Sequence, residues 1–488
     1  MPQYLAPGVY VEEVPSAIRP IAGVGTSTAG FVGVVADTVT MPLLPGRTGL
    51  KDDGTTVESA DYATVAPAGQ AQLVDGWETF KTLFGDIQSG NSTLAHAVYG
   101  FFNNGGGRCW ITRVAPDAEG DAGTDPDAGT DTGTDPDAGT DTGTDPDSGT
   151  DAGTDPDSGT DAGTDPDAEG DAGTDPDAGT DTGTDPDAGT DAGTDPDAGT
   201  DTGTSAEPLD TRLIAALGTF TAIDEIALVA IPGAVSDAVQ GAILDHCENQ
   251  YLQDRFAILD GRQTTELTKS KIQGDTRDSS YGAIYYPWID VGVRDADGSL
   301  VYQPPSGHIA GIYARVDTER GVHKAPANEV IRGALGLETL VSKQGQAGLN
   351  PDGINVIRKF DGNITVWGAR TMAGATQAEW RYISSRRLFN FLRESIDEGT
   401  QWVVFEPNAP ELWSKIRRNV GAFLTTVWSS GALLGNTPEQ AFYVRCDETV
   451  NPAAVRDAGQ LVVEIGVALV RPAEFVVFRI SQWAGGVQ

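Results

Sequence analysis

Cysteine, histidine and long apolar runs are scarce in this 488-residue sequence. The three cysteines, Cys109, Cys247 and Cys446, lie far apart without Cys-x-x-Cys or Cys/His spacing, so they predict small buried thiols rather than a metal site. No apolar run reaches the roughly 20 residues of a membrane-spanning helix. The N-terminal residues lack the basic and apolar regions of a secretory signal, so we expect a protein made in the cytoplasm, without direct membrane insertion.

Positive charge is missing from one long internal segment. Residues 117–204 contain 28 acidic residues and no Lys or Arg, whereas the whole chain has 71 acidic and 32 basic residues. The remaining sequence therefore carries 43 acidic and 32 basic residues, a net charge of −11. Because no segment has the basic excess of a nucleic-acid-binding surface, nucleic acid is not an expected partner.

The acidic segment is a low-complexity repeat. Eight ten-residue units of the type DAGTDPDAGT run from Asp121 to Thr200 and contain no large apolar residue. Burial therefore cannot offset the conformational entropy that ordering would cost, and we predict a disordered surface insertion over residues 116–205. Calcium binding is the alternative because Asp recurs at short spacing, although a calcium site usually needs about 6–8 oxygens held by a shaped loop.

Strands and helices alternate on both sides of the repeat. Apolar runs predict strands at Gly23–Val35, Cys109–Val114, Ile226–Gly233, Arg255–Asp260, Tyr281–Ile289, Leu461–Leu469 and Glu474–Ile480. Apolar residues at helical spacing predict helices at Trp77–Asp86, Ser92–Gly107 and Val235–Gln250. The strand–helix–strand order predicts βαβ units in a mainly parallel sheet, so the expected fold class is α/β with α+β elements.

Two amphipathic helices are predicted near the C-terminus. The first starts near Trp380, and the strand Trp402–Asn408 separates it from the second. Asn408 is the expected N-cap of the second helix, with Glu411 closing a capping box. Its predicted buried stripe consists of Leu412, Ile416, Val420, Phe423, Leu424 and Val427.

Arginines are interspersed with the apolar stripe of the first helix, at Arg381, Arg386, Arg387 and Arg393, and a second basic group spans Lys415–Arg418. Solvated helix faces with local ion pairs are one interpretation. An interface with an acidic partner is the other.

Sequence motifs for catalysis are missing. There is no phosphate-binding loop, no Gly-x-Ser-x-Gly and no His-Glu-x-x-His, and the Gly23–Gly25 pair lacks the third glycine of a dinucleotide loop. Ser306, His308 and Asp317 could be considered as a catalytic triad. On an extended segment, however, nothing places Asp317 behind the imidazole of His308. We therefore expect no enzyme, no cofactor and no metal.

Several phrases, taken in order, resemble the contractile tail sheath proteins of phages and contractile injection systems. They are YLAPGVYVEEVPS (Tyr4–Ser16), TSTAGFVG (Thr26–Gly33), FFNNGGGRCWITRV (Phe101–Val114), PPSGHIAGIYARVDTERGVHKAPANE (Pro304–Glu329), INVIRKFDGNITVWGART (Ile354–Thr371), WRYISSRRLFNFLRESI (Trp380–Ile396), WVVFEPN (Trp402–Asn408), LWSKIRRNVGAFL (Leu412–Leu424), GALLGNTPEQAFYVRCD (Gly431–Asp447) and PAEFVVFRISQW (Pro472–Trp483). Each phrase alone is weak, and their order makes the signal specific.

The resemblance implies a structural and motor protein. Sheath subunits of this family stack as rings, commonly of six, around an inner tube, and they shorten to drive that tube into a target membrane. Baseplate and tail terminator proteins are the other implied partners, together with sheath paralogues in some particles. Such a particle assembles in the cytoplasm and leaves the cell by lysis.

The resemblance also implies exchange of terminal strands between neighbouring subunits. The matching positions are Val9, Tyr10, Val11 and Val14 at one end, and Phe475, Val476, Val477, Phe478 and Ile480 at the other. Lys415, Arg417 and Arg418 are the expected contacts with acidic residues of the tube.

The implied organisation is a multi-domain subunit. It has an N-terminal arm (1–20), an N-terminal α/β part (21–115) with a loop-rich excursion at 38–69, the acidic insertion (116–205), a subtilisin-like α/β middle domain (206–372), and a C-terminal sheath core domain ending in the exchange strand (373–488). A phage tail and a domesticated injection particle remain open as alternatives. A doubly wound enzyme and a surface protein with an acidic stalk are remote ones.

Overall fold

The computed structural model describes residues 20–44, 62–116 and 207–477. The predicted strand Val9–Val14, the acidic repeat, Phe478 and Ile480 lie outside the described residues. The strands are β1 (Ala29–Val34), β2 (Ala71–Val74), β3 (Cys109–Val114), β4 (Leu228–Ala230), β5 (Phe256–Asp260), β6 (Gly282–Tyr286), β7 (Ile289–Asp290), β8 (Glu329–Val330), β9 (Gly336–Leu337), β10 (Ile354–Phe360), β11 (Asn363–Val366), β12 (Phe442–Arg445) and β13 (Glu464–Val467). The helices are α1 (Trp77–Phe84), α2 (Ser92–Asn103), α3 (Leu209–Leu217), α4 (Asp237–Glu248), α5 (Lys269–Ile272), α6 (Ser306–Arg320), α7 (Lys343–Leu349), α8 (Ile383–Thr400), α9 (Pro410–Ser429), α10 (Pro438–Ala441) and α11 (Ala453–Asp457).

One mixed sheet organises most of the chain, with the strand order β2-β3-β1-β4-β5-β6-β10-β11-β8. The six strands from β3 to β10 in this order are parallel, while β2, β11 and β8 pair antiparallel with their neighbours. Buried runs such as Phe256–Asp260 are typical of parallel strands that are covered on both faces. The α/β class and the mainly parallel sheet expected from the sequence are therefore confirmed.

Helices cover both faces of this sheet. Helices α1, α2 and α6 pack on one face around buried residues such as Phe80, Phe101 and Ile309. Helices α3 and α4 pack on the other face through residues such as Leu217 and Ile243. The domain boundaries at 21–115, 206–372 and 373–488, and the subtilisin-like shape, stay predictions.

The sequence predicted an extended segment around Ser306 and His308, and this prediction is wrong because the residues belong to helix α6. Its residues from Ser306 to Val316 are buried on all sides, so the sequence has no one-sided apolar stripe that would announce a helix. Glycine permits the close packing against α2, because a Cβ at Gly307 would clash with the backbone of Ala97, and one at Gly311 with the backbone of Phe101. Hydrophobic periodicity therefore cannot predict a helix that is buried on every side.

A third apolar core lies in the C-terminal part, where Ile21 packs with residues of α8, α9 and the strands β12 and β13. The predicted buried stripe of α9 is confirmed, since all six of its residues are buried. The predicted strand Trp402–Asn408 is wrong: a short 3-10 helix (Gln401–Val403) and a turn join α8 to α9. Phe405 has a φ of 69° there and is fully exposed, so this apolar sequence does not form a paired strand.

The capping box expected at Asn408 is also wrong. Ala409 occupies the N-cap position of α9, and no side chain caps the helix. The amide of Asn408 instead bridges two other elements, donating to the Gln460 carbonyl at 2.8 Å and accepting from Trp413 Nε1 at 2.8 Å. Pro410 at the first helical position needs no capped N–H, because proline has none.

Arg212 holds together the two ends of the acidic insertion. Its Nη1 donates to the carbonyls of Ala115, at 2.5 Å, and Pro116, at 3.2 Å, while its Nε donates to the carbonyl of Glu207 at 2.9 Å. These residues follow β3 and precede α3, so the chain leaves and re-enters the fold at one point of the sheet's carboxyl edge.

A buried ion pair links three distant segments of the chain. Arg387 of α8 donates to both carboxylate oxygens of Asp317 of α6, at 2.9 and 2.6 Å. The same guanidinium donates to the Thr26 carbonyl at 2.8 Å, and the Thr26 hydroxyl donates to Asp317 at 2.6 Å. The side chains of Arg387 and Asp317 are only 4% and 5% exposed.

This burial contradicts the interpretation of Arg387 as part of a solvated helix face. Arg386 is also buried, stacked 3.7 Å from the Trp380 ring centroid and 4.3 Å from that of Tyr281. Arg381 and Arg393 remain exposed, as a solvated face requires. Two of the four arginines therefore serve the interior of this chain.

Removing one partner of the buried pair should destabilise the fold strongly. Arg387→Met leaves the Asp317 carboxylate buried without its counter-ion, and we expect a loss of about 3–5 kcal/mol in the free energy of unfolding, measured by urea denaturation of the soluble subunit. The double variant Arg387→Met/Asp317→Leu should recover most of this loss. Glu319→Gln, on the exposed side of α6, is the matched control, with an expected change within about 0.5 kcal/mol. Equal losses in the single and double variants would contradict this account.

Candidate inter-subunit site

The described part of the predicted C-terminal strand is an unpaired arm. Phe475, Val476 and Val477 are 72%, 68% and 77% exposed, and Glu474–Val477 pairs with no strand of the described chain. These residues therefore form no strand pairing within the described chain, and the exchange strand expected here stays a prediction. Three consecutive exposed apolar side chains are unusual on a soluble surface and are typical of a segment that packs against a partner.

A polar clamp fixes the arm just before these apolar residues. Arg370 donates to Glu474 through Nε, at 2.8 Å to Oε1, and through Nη2, at 2.8 Å to Oε2. Asn350 Nδ2 donates to Oε1 at 2.6 Å, and the Tyr382 hydroxyl donates to Oε2 at 3.0 Å. The remaining Arg370 nitrogen donates to the Asn350 carbonyl at 3.0 Å, which orients the guanidinium. The bidentate geometry is the strongest form of an arginine–carboxylate contact.

The environment of the clamp keeps Glu474 ionised. Burial would raise the pKa of its carboxyl, but the hydrogen bonds from Arg370, Asn350 and Tyr382 lower it below the ordinary value of 4.5. Since the pKa is lower in the folded state, the clamp stabilises the fold above this value and loses its contribution as the pH falls further. The arm is therefore anchored at neutral pH.

A groove of about 900 Å³ runs beneath the anchored arm. Its lining includes α7, Phe360 and Trp367 at the β10–β11 hairpin, and the arm from Val470 to Val476. The arm thus lines this groove without joining the main sheet.

Strands β12 and β13 form a separate two-stranded antiparallel sheet. Phe442, Val444, Ile465 and Val467 face the third apolar core. On the other face, Tyr443 and Arg445 donate to the two carboxylate oxygens of Glu464 at 3.0 and 3.1 Å. Within the described ranges each strand has only one partner strand, so each has an edge that can accept another strand.

The predicted tube-contact residues all lie on the solvent side of α9. Lys415, Arg417 and Arg418 are exposed, but they do not form one patch. Successive helical residues are about 100° apart, so Lys415 and Arg418 are neighbours one turn apart, whereas Arg417 lies on the opposite flank. Arg417 donates to Ser414 at 3.3 Å and acts electrostatically on the Cys446 thiol.

The sketched Ser306/His308/Asp317 grouping does not form. Ser306 donates its hydroxyl to the buried Asp260 at 2.7 Å, and Asp317 is engaged by Arg387. His308 is buried, which lowers the pKa of its imidazole to about 4. Asp317 lies about three helical turns from Ser306, too far for a relay.

Sequence reasoning missed the clamp residues Glu474, Arg370, Asn350 and Tyr382. One signal was present, since Glu474 is the only charged residue in the run PAEFVVF. A lone carboxylate in an apolar run indicates a specific partner, but nothing in the sequence names that partner, because Arg370 is separated from it by more than one hundred residues.

Loss of the clamp should free the arm. Glu474→Ala removes charge-assisted hydrogen bonds that contribute about 1.5–3 kcal/mol, so the population of the released arm should rise by about tenfold or more. We expect limited chymotrypsin digestion of the soluble subunit to cut after Phe475 faster by a similar factor. Glu464→Ala, which removes another carboxylate contacted by a tyrosine and an arginine, should leave this rate unchanged. Equal cleavage rates in the wild type and Glu474→Ala would exclude an anchoring role.

Curated proteins with similar sequences are tail sheath proteins. A putative prophage major tail sheath protein of Pseudomonas aeruginosa is 25% identical over 240 residues, which cover 47% of this chain and 58% of that protein. The tail sheath protein of Vibrio phage KVP40 is 29% identical over 197 residues, 37% of this chain and 28% of that protein. The chain therefore matches well under two thirds of the length of these relatives.

Solved structures match along almost the whole chain. A chain of the six-fold symmetrised anti-feeding prophage baseplate is 25% identical with a TM-score of 0.61, covering 98% of this chain and 99% of that one. The helical sheath of the anti-feeding prophage in its contracted state gives a TM-score of 0.63 at 24% identity, covering 98% and 99%. The sheath complex of an extracellular contractile injection system, also contracted, gives 0.61 at 24% identity, covering 99% of each chain. The fold is thus shared with sheath subunits.

Two family models match in succession. The central domain of the phage tail sheath protein matches residues 211–372, and the phage tail sheath C-terminal domain matches residues 375–482. Together they cover more than half of the chain. The chain therefore belongs to the phage tail sheath protein family.

Proposed function

We propose that this chain is the repeating subunit of a contractile sheath. In this role it polymerises as stacked rings, six subunits to a ring, around an inner tube, and the polymer shortens to drive the tube through a target membrane. The observation that carries the proposal is the match of nearly the whole chain to sheath subunits, two of them in contracted assemblies. The energy of the stroke lies in two packings of the same subunits.

The polymer is held together by strand exchange. The C-terminal segment Phe475–Ile480 and the N-terminal segment Val9–Val14 add to the free edges of β12 and β13 in neighbouring subunits. Two observations support this assignment: the exposed apolar residues that follow Glu474, and a two-stranded sheet with an unpaired edge on each side in the described chain. Main-chain hydrogen bonds supply affinity in such strand addition. Because the contact is head-to-tail, it propagates into a helical polymer.

The other partners follow from the same assembly. The inner tube contacts the α9 surface around Lys415 and Arg418, and Arg417 contributes from the opposite flank of the helix. Baseplate and tail terminator proteins bind the two ends of the polymer, and sheath paralogues share the particle where they exist.

The acidic insertion lies on the outer surface, where like-charged particles repel one another. A phage tail and an injection particle stay the two alternatives for the particle that this subunit builds, and the similar proteins include both classes.

Electron microscopy of the purified chain with its tube protein tests the proposal. We expect hollow, ridged cylinders or sheaths around tubes. Deleting Met1–Pro15 should leave a folded, soluble subunit that forms neither, because one of the two exchanged strands is lost. Normal sheaths from the truncated chain would refute the strand assignment, while dispersed particles from the full chain, with tube and baseplate supplied, would refute the sheath role.

Charge reversal on α9 should uncouple sheath from tube. Lys415→Glu/Arg418→Glu changes two adjacent exposed side chains, and we expect at least a tenfold loss of tube co-purification with normal self-assembly. Arg417→Glu reverses a charge on the opposite flank and is the matched comparison, with a smaller expected loss. If the double variant retains its tube, α9 is not the tube contact.

A further inference from the structure

The turn between α8 and α9 (residues 404–407) presents two adjacent apolar side chains to solvent. Val404 is 57% exposed, and Phe405 is fully exposed. The φ of 69° at Phe405 lies in the left-handed region, which a bulky side chain rarely adopts. Strain of this kind persists where the surrounding structure imposes it, and it is frequent at functional sites. Phe405 therefore adds neither apolar burial nor a favourable backbone conformation to this subunit.

Hydrogen bonds and packing hold this turn in one conformation. The amide of Val404 donates to the Gln401 carbonyl at 3.2 Å, and the amide of Glu406 donates to the Val403 carbonyl at 3.1 Å. Val403 also packs against the third apolar core. The side chain of Phe405 is therefore presented from a fixed base, so a partner that binds it has less conformational entropy to remove.

The groove at the β10–β11 hairpin has room and apolar surface for such a turn. The rings of Phe360 and Trp367 lie in its lining with their centroids 4.5 Å apart, and Trp367 is 40% exposed. Its volume of about 900 Å³ is in the range of roughly 300–1,000 Å³ that is typical of ligand pockets. Both aromatic residues precede the exchange strand, so they stay in place when Phe475–Ile480 leaves for a neighbour.

The charges of the groove and of the turn are complementary. The lining cations without an ion pair to any described residue are Lys343, Arg358 and Arg471. The carboxylate in the lining, Glu474, is already engaged in the clamp. Glu406 of the turn is exposed, and it also forms no ion pair within the described chain. Opposite charges on two apolar surfaces give a contact its orientation and its specificity.

We propose that the α8–α9 turn of one subunit docks into this groove of a second copy. In this contact Phe405 packs on Phe360 and Trp367, and Glu406 faces the unpaired cations of the groove. A fully exposed Phe405 does not occupy the groove of its own subunit, so the contact joins two copies. Its two surfaces differ, so it is head-to-tail and propagates through a polymer. The inference rests on the proposed sheath assembly and adds to it an interface besides strand exchange.

Cysteine cross-linking between full-length subunits tests the contact. The three native cysteines are buried, so a cysteine added at the surface is the reactive one. Subunits carrying Phe405→Cys are mixed with subunits carrying Lys343→Cys, assembled into sheaths and treated with a short bismaleimide, before and after contraction. We expect a cross-linked dimer from the mixture in at least one state and from neither variant alone. Tyr251→Cys, in place of Phe405→Cys, is the matched control because Tyr251 is an 84% exposed aromatic residue outside the groove.

The outcomes separate this contact from the sheath role. Sheaths that give no Phe405–Lys343 link in either state overturn the contact and leave the sheath role intact. A link of Lys343→Cys to Tyr10→Cys instead assigns the groove to the N-terminal segment and also overturns it. A wild-type chain that forms no sheath with tube and baseplate supplied refutes both proposals.

The second measurement is the subunit concentration needed for assembly. Phe405→Ala should raise it about tenfold or more, because aromatic anchors in pockets carry much of the binding energy. The melting temperature of the soluble subunit should not fall, since this side chain is fully exposed. Tyr251→Ala should change neither quantity. Normal self-assembly of Phe405→Ala with loss of tube co-purification would assign the turn to the tube and overturn the proposal.

Charge exchange tests the orientation of the contact. Glu406→Lys and Lys343→Glu/Arg471→Glu should each weaken assembly, because each places like charges opposite one another. The chain that carries all three substitutions should recover part of the loss, since opposite charges face each other again. Losses that simply add in this triple variant would overturn the pairing.

Discussion

The contact between Arg387 and Asp317 is the constraint on which the rest of the structure depends. It joins α8 to α6 and, through the backbone and hydroxyl of Thr26, to the segment leading into β1. Ions that are 4% and 5% exposed have lost most of their hydration, so only this geometry, with its remaining lone pairs satisfied, makes their burial tolerable. The N-terminal segment, the main sheet and the C-terminal core therefore keep one relative arrangement.

The terminal arm combines rigidity with availability. Glu474 is held by two nitrogens of Arg370 and by two further donors, whereas the next three residues have more than two thirds of their surface exposed. The clamp fixes the point from which the arm leaves, so the root of the arm has little conformational entropy left to lose. Anchoring and exposure therefore act on adjacent residues of one strand-forming run.

Local sequence patterns predicted the elements that local interactions decide. The strands Cys109–Val114 and Phe256–Asp260 and the buried stripe of α9 follow from apolar spacing alone. Helix α6 did not, because burial on every side removes the periodicity. The apolar residues of Trp402–Asn408 predicted a strand, but the described chain has no neighbouring strand with which they could pair. The contacts of Arg386, Arg387 and Glu474 involve partners far away in sequence. Local sequence patterns cannot predict such contacts.

The bracing of the insertion by Arg212 has an evolutionary consequence. Because one guanidinium holds the exit and the entry of the insertion side by side, the fold is insensitive to how much chain lies between them, and loop-closure entropy grows only with the logarithm of that length. Copies of the decapeptide can therefore be gained or lost by recombination within the repeat without disturbing β3 or α3. The number of units can therefore change by selection while the described fold around the insertion stays the same.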